Sequence, residues 1–463
     1  MLASGTLFLV LLAFRMDWIT LHPVQDHPVI IAVSKSDSWM GIYQKSRNIG
    51  FSHRKITPRE GGFDVSETTH MRLNTMGMIQ EIHMNSQGIL KNDFSLASFS
   101  FELESGMFHL VVRGNVNDNK LMLDANGQQL HIPLKTPIYL SENLWDAAGR
   151  MGQPDWQSIT LPVFDPSTLS TQSVKLAVEG TELIEIMGTK QLARRVSVII
   201  MGSRQTGWLA ADGSVLQEEG FMGISLKKIS EDEVPVSIPE ASEDLTQAVS
   251  IPSNQQIEHP ESLRCLVLRV TGAGIIPTER QQIQSSVVTI IKETLSDLSD
   301  IRFPELDVFL EPGPLIQSDH IKIIQQVSEI INTSDSPLAR VQKIMNWIYK
   351  HIEKRPVLSV FNALETLENR MGDCKEHAAL FAAMSRAAGV PSQIEAGLVY
   401  YQGNFYYHAW NSVFLGKWIT VDSLMGQIPA DVTHICLVRG NPEQLVNLVG
   451  AIGMIDISIL EKQ

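Results

Sequence analysis

The chain has 463 residues, 44% of them hydrophobic and 19% charged, with a formal net charge of −14. This length exceeds one ordinary core and predicts two or three domains, and the apolar fraction excludes a disordered chain. The acidic balance, without any cluster of Lys and Arg, excludes nucleic acid as the main partner, because phosphate binding needs concentrated positive charge.

Taken in chain order, Leu2 to Phe14 are apolar or small throughout. The run is shorter than the ~20 residues a membrane-spanning helix needs, but it suits the apolar region of a signal peptide. Residues 1–30 are therefore expected to form a signal or membrane-anchor segment, the alternative being a buried first strand or helix. Residues 36–228 read as a β-rich domain of short apolar runs broken by Gly, Asn, Asp and Ser. Gly41–Phe51 predicts a hairpin, as do Phe108–Gly114 and Lys120–Asp124 around a polar turn at Asn115–Asn119. Many short strands with frequent turns favour an antiparallel sandwich or an open barrel. No internal repeat of fixed period is present.

Residues 229–262 change character. Pro235, Pro239, Pro252 and Pro260 are interleaved with Ser, Gln and the acidic run Glu231-Asp232-Glu233, which predicts a linker without packed elements. A C-terminal domain is expected over 263–463. Beyond Leu315 the pattern turns helical. Ser318 or Asp319 can cap a helix with Ile321, Ile324, Val327 and Ile331 on its apolar face. Ser336-Pro337 opens a second helix, Phe361–Asn369 a third, and a fourth starts near Cys374 and stops at Gly389 and Pro391. From Gln393 the chain returns to β, with strands at Ile394–Tyr401, Phe405–Phe414 and Lys417–Val421.

The three cysteines, Cys265, Cys374 and Cys436, are too few for a disulfide framework. Cys265 and Cys436 could form one bridge, but their strand-like surroundings predict small buried apolar side chains. Cys374 differs, since it lies in the polar run Gly372-Asp373-Cys374-Lys375-Glu376-His377 at a helix start. A thiol there meets the positive end of the helix dipole and free backbone N–H groups, which favour thiolate and can face an oxyanion. His408 and Asp422 follow on adjacent strands. Thiol, imidazole and carboxylate in this order form the set a cysteine acyl-transfer enzyme needs: nucleophile, base, and a carboxylate that orients the base. A zinc site using Cys374 and His377 with Asp431 and His434 is the weaker reading, for want of a second Cys or His pair. No P-loop or dinucleotide fingerprint is present, so no cofactor and no metal is expected.

Gly372–Ala378 with Arg386–Pro391, then His408-Ala409-Trp410, then Trp418–Asp422 resemble the nucleophile helix and the His and Asp strands of the transglutaminase-like superfamily. Gly426–Ile435 resembles its bacterial members. The likeness covers about residues 319–440. It implies an α+β fold, a papain-like core of helices packed on an antiparallel sheet, with Cys374 as nucleophile, His408 as base and acid, and Asp422 as orienting carboxylate. It further implies thioester chemistry on a protein or peptide substrate; hydrolysis is the expected outcome, because water needs no dedicated acceptor site. The alternatives are Gln–Lys cross-linking or a non-catalytic scaffold of the bacterial envelope. The implied location is the cell envelope, periplasmic or membrane-anchored. One departure stands out: Asn411-Ser412-Val413 follows His-Ala-Trp where many members place an acid.

Overall fold

The computed structural model describes residues 35–463 apart from 107, 151–156, 201–202, 221–222, 239–242, 273, 297, 299–302, 356–361 and 441–451. The apolar segment Leu2–Phe14 lies outside them, and no helix among the described residues is long and apolar enough to cross a membrane. The described residues are mostly sheet, with about 18% helix.

One fifteen-stranded sheet, β1 (Ser36–Gln44) to β15 (Ile224–Ile229), forms the N-terminal region. Each strand pairs with its neighbours in sequence except at the break between the eighth and ninth strands, and β15 returns to lie antiparallel beside β1. The two free edges are Gln128–Pro133 and Tyr139–Leu140. A sandwich would split into two sheets. Here a single sheet curls, so that Val112 and Leu121 from one half meet Val163, Val174 and Val196 from the other in one core. The turn expected at Asn115–Asn119 is tighter than predicted. Asn115–Asn117 pair within the ladder, leaving Asp118 and Asn119 as a two-residue turn with φ of +46° and +58°. Short polar side chains tolerate this left-handed conformation.

This region buries an ionic knot. Arg54 reaches Asp146 at 2.6 Å and also pairs with Glu67 and the carbonyl of Glu142. Helix α1 (Leu144–Arg150) supplies Asp146. Burial pushes the carboxyls of Glu142 and Glu218 up to about 7.

The segment 229–262, expected to be unpacked, is packed at several points, with Ile238 among its buried residues. Leu245 in helix α2 (Leu245–Ala248) joins a cluster with Ile42, Ile49, Leu73 and Ile82. Ile251 lies in strand β16 (Ile251–Pro252), and Ile257 is buried against Leu266 and Leu268. Single apolar residues six apart match neither the helix nor the strand period, which is why the sequence pattern missed them.

The C-terminal region then runs β17 (Cys265–Thr271), β18 (Gln281–Gln284) and β19 (Val287–Ile291). Helices α3 (Ile321–Ile330) and α4 (Pro337–His351) follow, then β20 (Glu353–Lys354), α5 (Ala363–Asn369), β21 (Met371–Gly372) and α6 (Cys374–Ala387). The chain ends in β22 (Ser392–Tyr401), β23 (Asn404–Phe414), β24 (Trp418–Val421), β25 (Ile435–Gly440) and β26 (Asp456–Lys462). Strands β16, β23, β22 and β25 form one sheet in that order, with β24 beside β23. Ile344 and Ile348 of α4, Leu380 and Met384 of α6, and Ile394 and Val413 of the sheet share one core.

Helix α3 corrects the phase of its expected apolar face. His320 caps it, Ile323 and Val327 are buried, and Ile321 and Ile324 are 59% and 44% exposed. Helix α5 starts at Ala363 under an Asn362 cap; Phe361 lies outside the described residues. Just before these helices, Leu315 is buried in the N-terminal core and Ile316 in the C-terminal one. Next to them Gln317 bonds Asn362 Oδ1 at 3.1 Å and accepts from Leu364 N–H at 3.2 Å. All three cysteines are free thiols; Cys436 is buried as expected, whereas Cys265 is half-buried.

Candidate active site

Cys374 is the first residue of α6, where backbone N–H groups have no partner inside the helix. A capping box fixes this start: Lys375 N–H donates to Asp373 Oδ1 at 2.9 Å, and Asp373 N–H donates to Glu376 Oε2 at 3.0 Å. One turn on, His377 Nδ1 bonds the Asp373 carbonyl at 2.8 Å. Gly372 is required by contact, because a Cβ there would lie 2.4 Å from Glu376 Cβ. Gly372→Ala should break the box and cost roughly 1–2 kcal/mol, read as a lower denaturation midpoint. An unchanged midpoint would refute this account of the glycine.

The imidazole and carboxylate come from the sheet. Strands β22 and β23 form a hairpin turning at Gln402 and Gly403, with φ of +46° and +93°. His408 lies opposite Gly397 in this ladder. Strand β24 runs antiparallel to β23, and Asp422 follows its last residue, Val421. Asn411, standing where an acid was expected, is fully buried and donates to the carbonyl of Ala378 at 3.0 Å, tying β23 to α6.

These three expected residues meet. His408 Nε2 donates to Asp422 Oδ2 at 2.6 Å, and His408 shares a hydrogen bond with the Cys374 side chain. Burial alone would lower the His408 pKa; the Asp422 carboxylate outweighs it and lifts it to about 9. Burial would raise Asp422, yet its two imidazole partners hold it well below the usual carboxylate range. Cys374 is half-buried, whereas His408 is 7% and Asp422 0% exposed, so the thiol is the accessible member.

Sequence reasoning did not place His434 here, having considered it only as a metal ligand with Asp431. His434 Nε2 lies 3.0 Å from Asp422 Oδ2 and is buried. The other Asp422 oxygen, Oδ1, accepts from the N–H groups of Leu424 and Met425, both at 2.8 Å. The loop from Asp422 to His434 is held from far away in sequence: Arg280, itself buried, donates to the carbonyls of Ala430 and Asp431 and to Thr420 Oγ1. Gly397 lets β25 approach, since a Cβ there would meet the Ile435 carbonyl at 1.9 Å. The signal available in the sequence was the second Asp–His pair, Asp431 and His434, so soon after Asp422. The His408, Asp422 and His434 side-chain nitrogen and oxygen atoms lie within 4.8 Å of one another, close enough in principle to share a cation. Direct hydrogen bonds already join them, and this is not the Cys374–His377–Asp431–His434 set of the weaker zinc reading.

A thiol heading a helix, with an imidazole and a carboxylate on adjacent strands, is the arrangement of papain-like cysteine enzymes as a class. Residues 324–423 match the family model described as the transglutaminase-like superfamily. Kyphoscoliosis peptidase of Mus musculus is 33% identical over 125 residues, 23% of this chain and 18% of that protein. Its Homo sapiens counterpart is 32% identical over 118 residues, 22% and 17% respectively. The chain spans less than a fifth of these relatives' length. Among solved structures, a β-barrel-like protein of a domain of unknown function from Brucella abortus is 9% identical, at a TM-score of 0.34, over 43% of this chain and 97% of that one. At that score the two do not define a shared fold.

Proposed function

We propose that the C-terminal region is a papain-like α+β cysteine enzyme that transfers acyl groups through a thioester on Cys374. The observation that carries this reading is the continuous contact from a half-exposed thiol, through His408, to the buried Asp422. As His408 takes the thiol proton, the Cys374 sulfur attacks the carbonyl carbon of a peptide or side-chain amide. The backbone N–H of Cys374 faces the developing oxyanion, and His408 gives its proton to the departing amine. Water then enters: His408 takes its proton, hydroxide adds to the thioester carbon, and the acid leaves as the Cys374 sulfur is released. Asp422 keeps His408 in the tautomer with hydrogen on Nε2, leaving Nδ1 for the thiol.

Hydrolysis is favoured over Gln–Lys cross-linking because water needs no acceptor site, and because the relatives of this segment are named peptidases. The substrate class is protein or peptide. The test is an activity-based thiol probe offered to the purified chain, the Cys374→Ala variant and the His408→Ala variant. Labelling that requires both residues is expected. Absence of labelling in the unaltered chain from pH 5 to 9 would sink the enzyme reading in favour of a scaffold. Product mass, free acid or amine adduct, separates hydrolase from transferase.

A further inference from the structure

We infer that His434 is a permanently protonated positioning residue, a fixed imidazolium that holds Asp422 in place for His408. The inference rests on the enzyme reading above for its purpose, but on hydrogen-bond chemistry for its content. Both ring nitrogens of His434 face acceptors only. Nε2 faces Asp422 Oδ2 at 3.0 Å, while Nδ1 faces the Asp431 carbonyl at 3.2 Å and Asp431 Oδ1 at 3.3 Å. A neutral imidazole has one donor and one acceptor nitrogen and would set a lone pair against an oxygen at one end or the other. Only the cation donates at both ends. The site supplies the compensating charge: Asp422 from the loop after β24, and Asp431 from the same loop before β25.

The remaining neighbours keep the assignment. His408, on β23, is engaged with Asp422 and Cys374, and the Trp410 ring stands edge-on to His434 at 5.0 Å between centroids. The cation Arg280 gives its guanidinium to Glu293, Thr420 and the carbonyls of Ala430 and Asp431, away from the ring. Asp431 is itself fixed, its Oδ1 accepting from Thr433 N–H and Oγ1 and its Oδ2 from Gln427. The consequence lies in the geometry of Asp422. Its four acceptor positions take two backbone N–H groups and two imidazoles, so the carboxylate has no freedom to turn away from His408. Carboxylates that orient a catalytic histidine work only when they are themselves held.

The protonation is read directly by nitrogen NMR on the full chain with labelled histidine, the His434 signals being assigned by their loss in His434→Gln. Both His434 nitrogens should stay protonated from pH 5 to 8; a ring that titrates near 6.5 overturns the inference. The positioning role is read from the rate of Cys374 alkylation by iodoacetamide. His434→Phe, which keeps a ring and loses both donors, should alkylate roughly tenfold to a hundredfold more slowly. His434→Gln, which keeps one donor toward Asp422, should recover most of that loss. Equal rates in all three proteins, or equal losses in the two variants, would refute the role. If Cys374 of the unaltered chain reacts like an ordinary thiol, the enzyme reading fails while the NMR result still decides the charge on His434.

Discussion

Asp422→Asn is expected to slow thiol-dependent turnover by about 10³–10⁴-fold while leaving Cys374 and His408 in place. The substitution keeps the shape of the side chain and reverses part of its chemistry. Asp422 Oδ2 accepts from two imidazoles and Oδ1 from two backbone N–H groups. An amide has one oxygen, so whichever way it turns, its NH2 group faces donors. If the NH2 points at the imidazoles, His408 is driven to the tautomer with hydrogen on Nδ1 and can no longer accept the thiol proton. If it points at Leu424 and Met425, the loop loses its anchor. Because two partners are affected, the change should exceed that of any single donor removed around the site. Probe labelling and, once a peptide substrate is in hand, kcat/KM measure it. Turnover within a factor of a few of the unaltered chain would remove Asp422 from the machinery.

A second large effect should appear as a decline in thermal stability with rising pH. For His434, burial alone would lower its pKa, but Asp422 and Asp431 outweigh this and lift it to about 9, the same value as His408. A group whose folded pKa lies above its unfolded value stabilises fully below the unfolded value and loses that contribution as pH rises through the folded one. For the two histidines the window is therefore 6.5 to about 9. A rise from 6.5 to about 9 is worth about 3 kcal/mol, counted once because both imidazoles lean on one carboxylate. That corresponds to roughly 6–12 °C in Tm for a region of about 200 residues. Asp422 and Asp431, both held low, work in the opposite sense and destabilise only as pH falls below about 4.

The curled sheet has its own window. Glu142 and Glu218 are pushed up to about 7 by burial, so their contribution is lost between 4.5 and about 7. Calorimetry from pH 5 to 9 should thus show the N-terminal region softening first and the C-terminal region above pH 6.5. His434→Gln should flatten the second decline. A transition temperature that is level across this range would show that the cluster is not charged as described.

The site was legible in the sequence to the extent that its parts are local. The polar run around Cys374 announces a helix start, Gly389 and Pro391 announce its end, and the turn at Gln402-Gly403 announces the hairpin that bears His408. Period and punctuation suffice for such features. What was not legible depends on contacts across long sequence separations. His434 reaches Asp422 only because Gly397 admits β25 and because Arg280 ties the intervening loop from 140 residues before Thr420. The phase of α3 was missed for a related reason. Ile321, Ile323, Ile324 and Val327 offer more than one apolar stripe, and only packing selects Ile323 and Val327. Segment 229–262 looked like a spacer because its few apolar residues pack singly, each against a different neighbour.

The adjacent residues Leu315 and Ile316 have a mechanical consequence. Two neighbouring side chains here enter different hydrophobic interiors, one of the curled sheet and one of the helices around Cys374. Gln317, the next residue, holds Asn362 and Leu364 in the first turn of α5, the helix that precedes the strand leading into the thiol. The two halves of the molecule are thus riveted, not hinged, at this point, and a load borne by the sheet is delivered within three residues to the first turn of α5, one helix before the nucleophile.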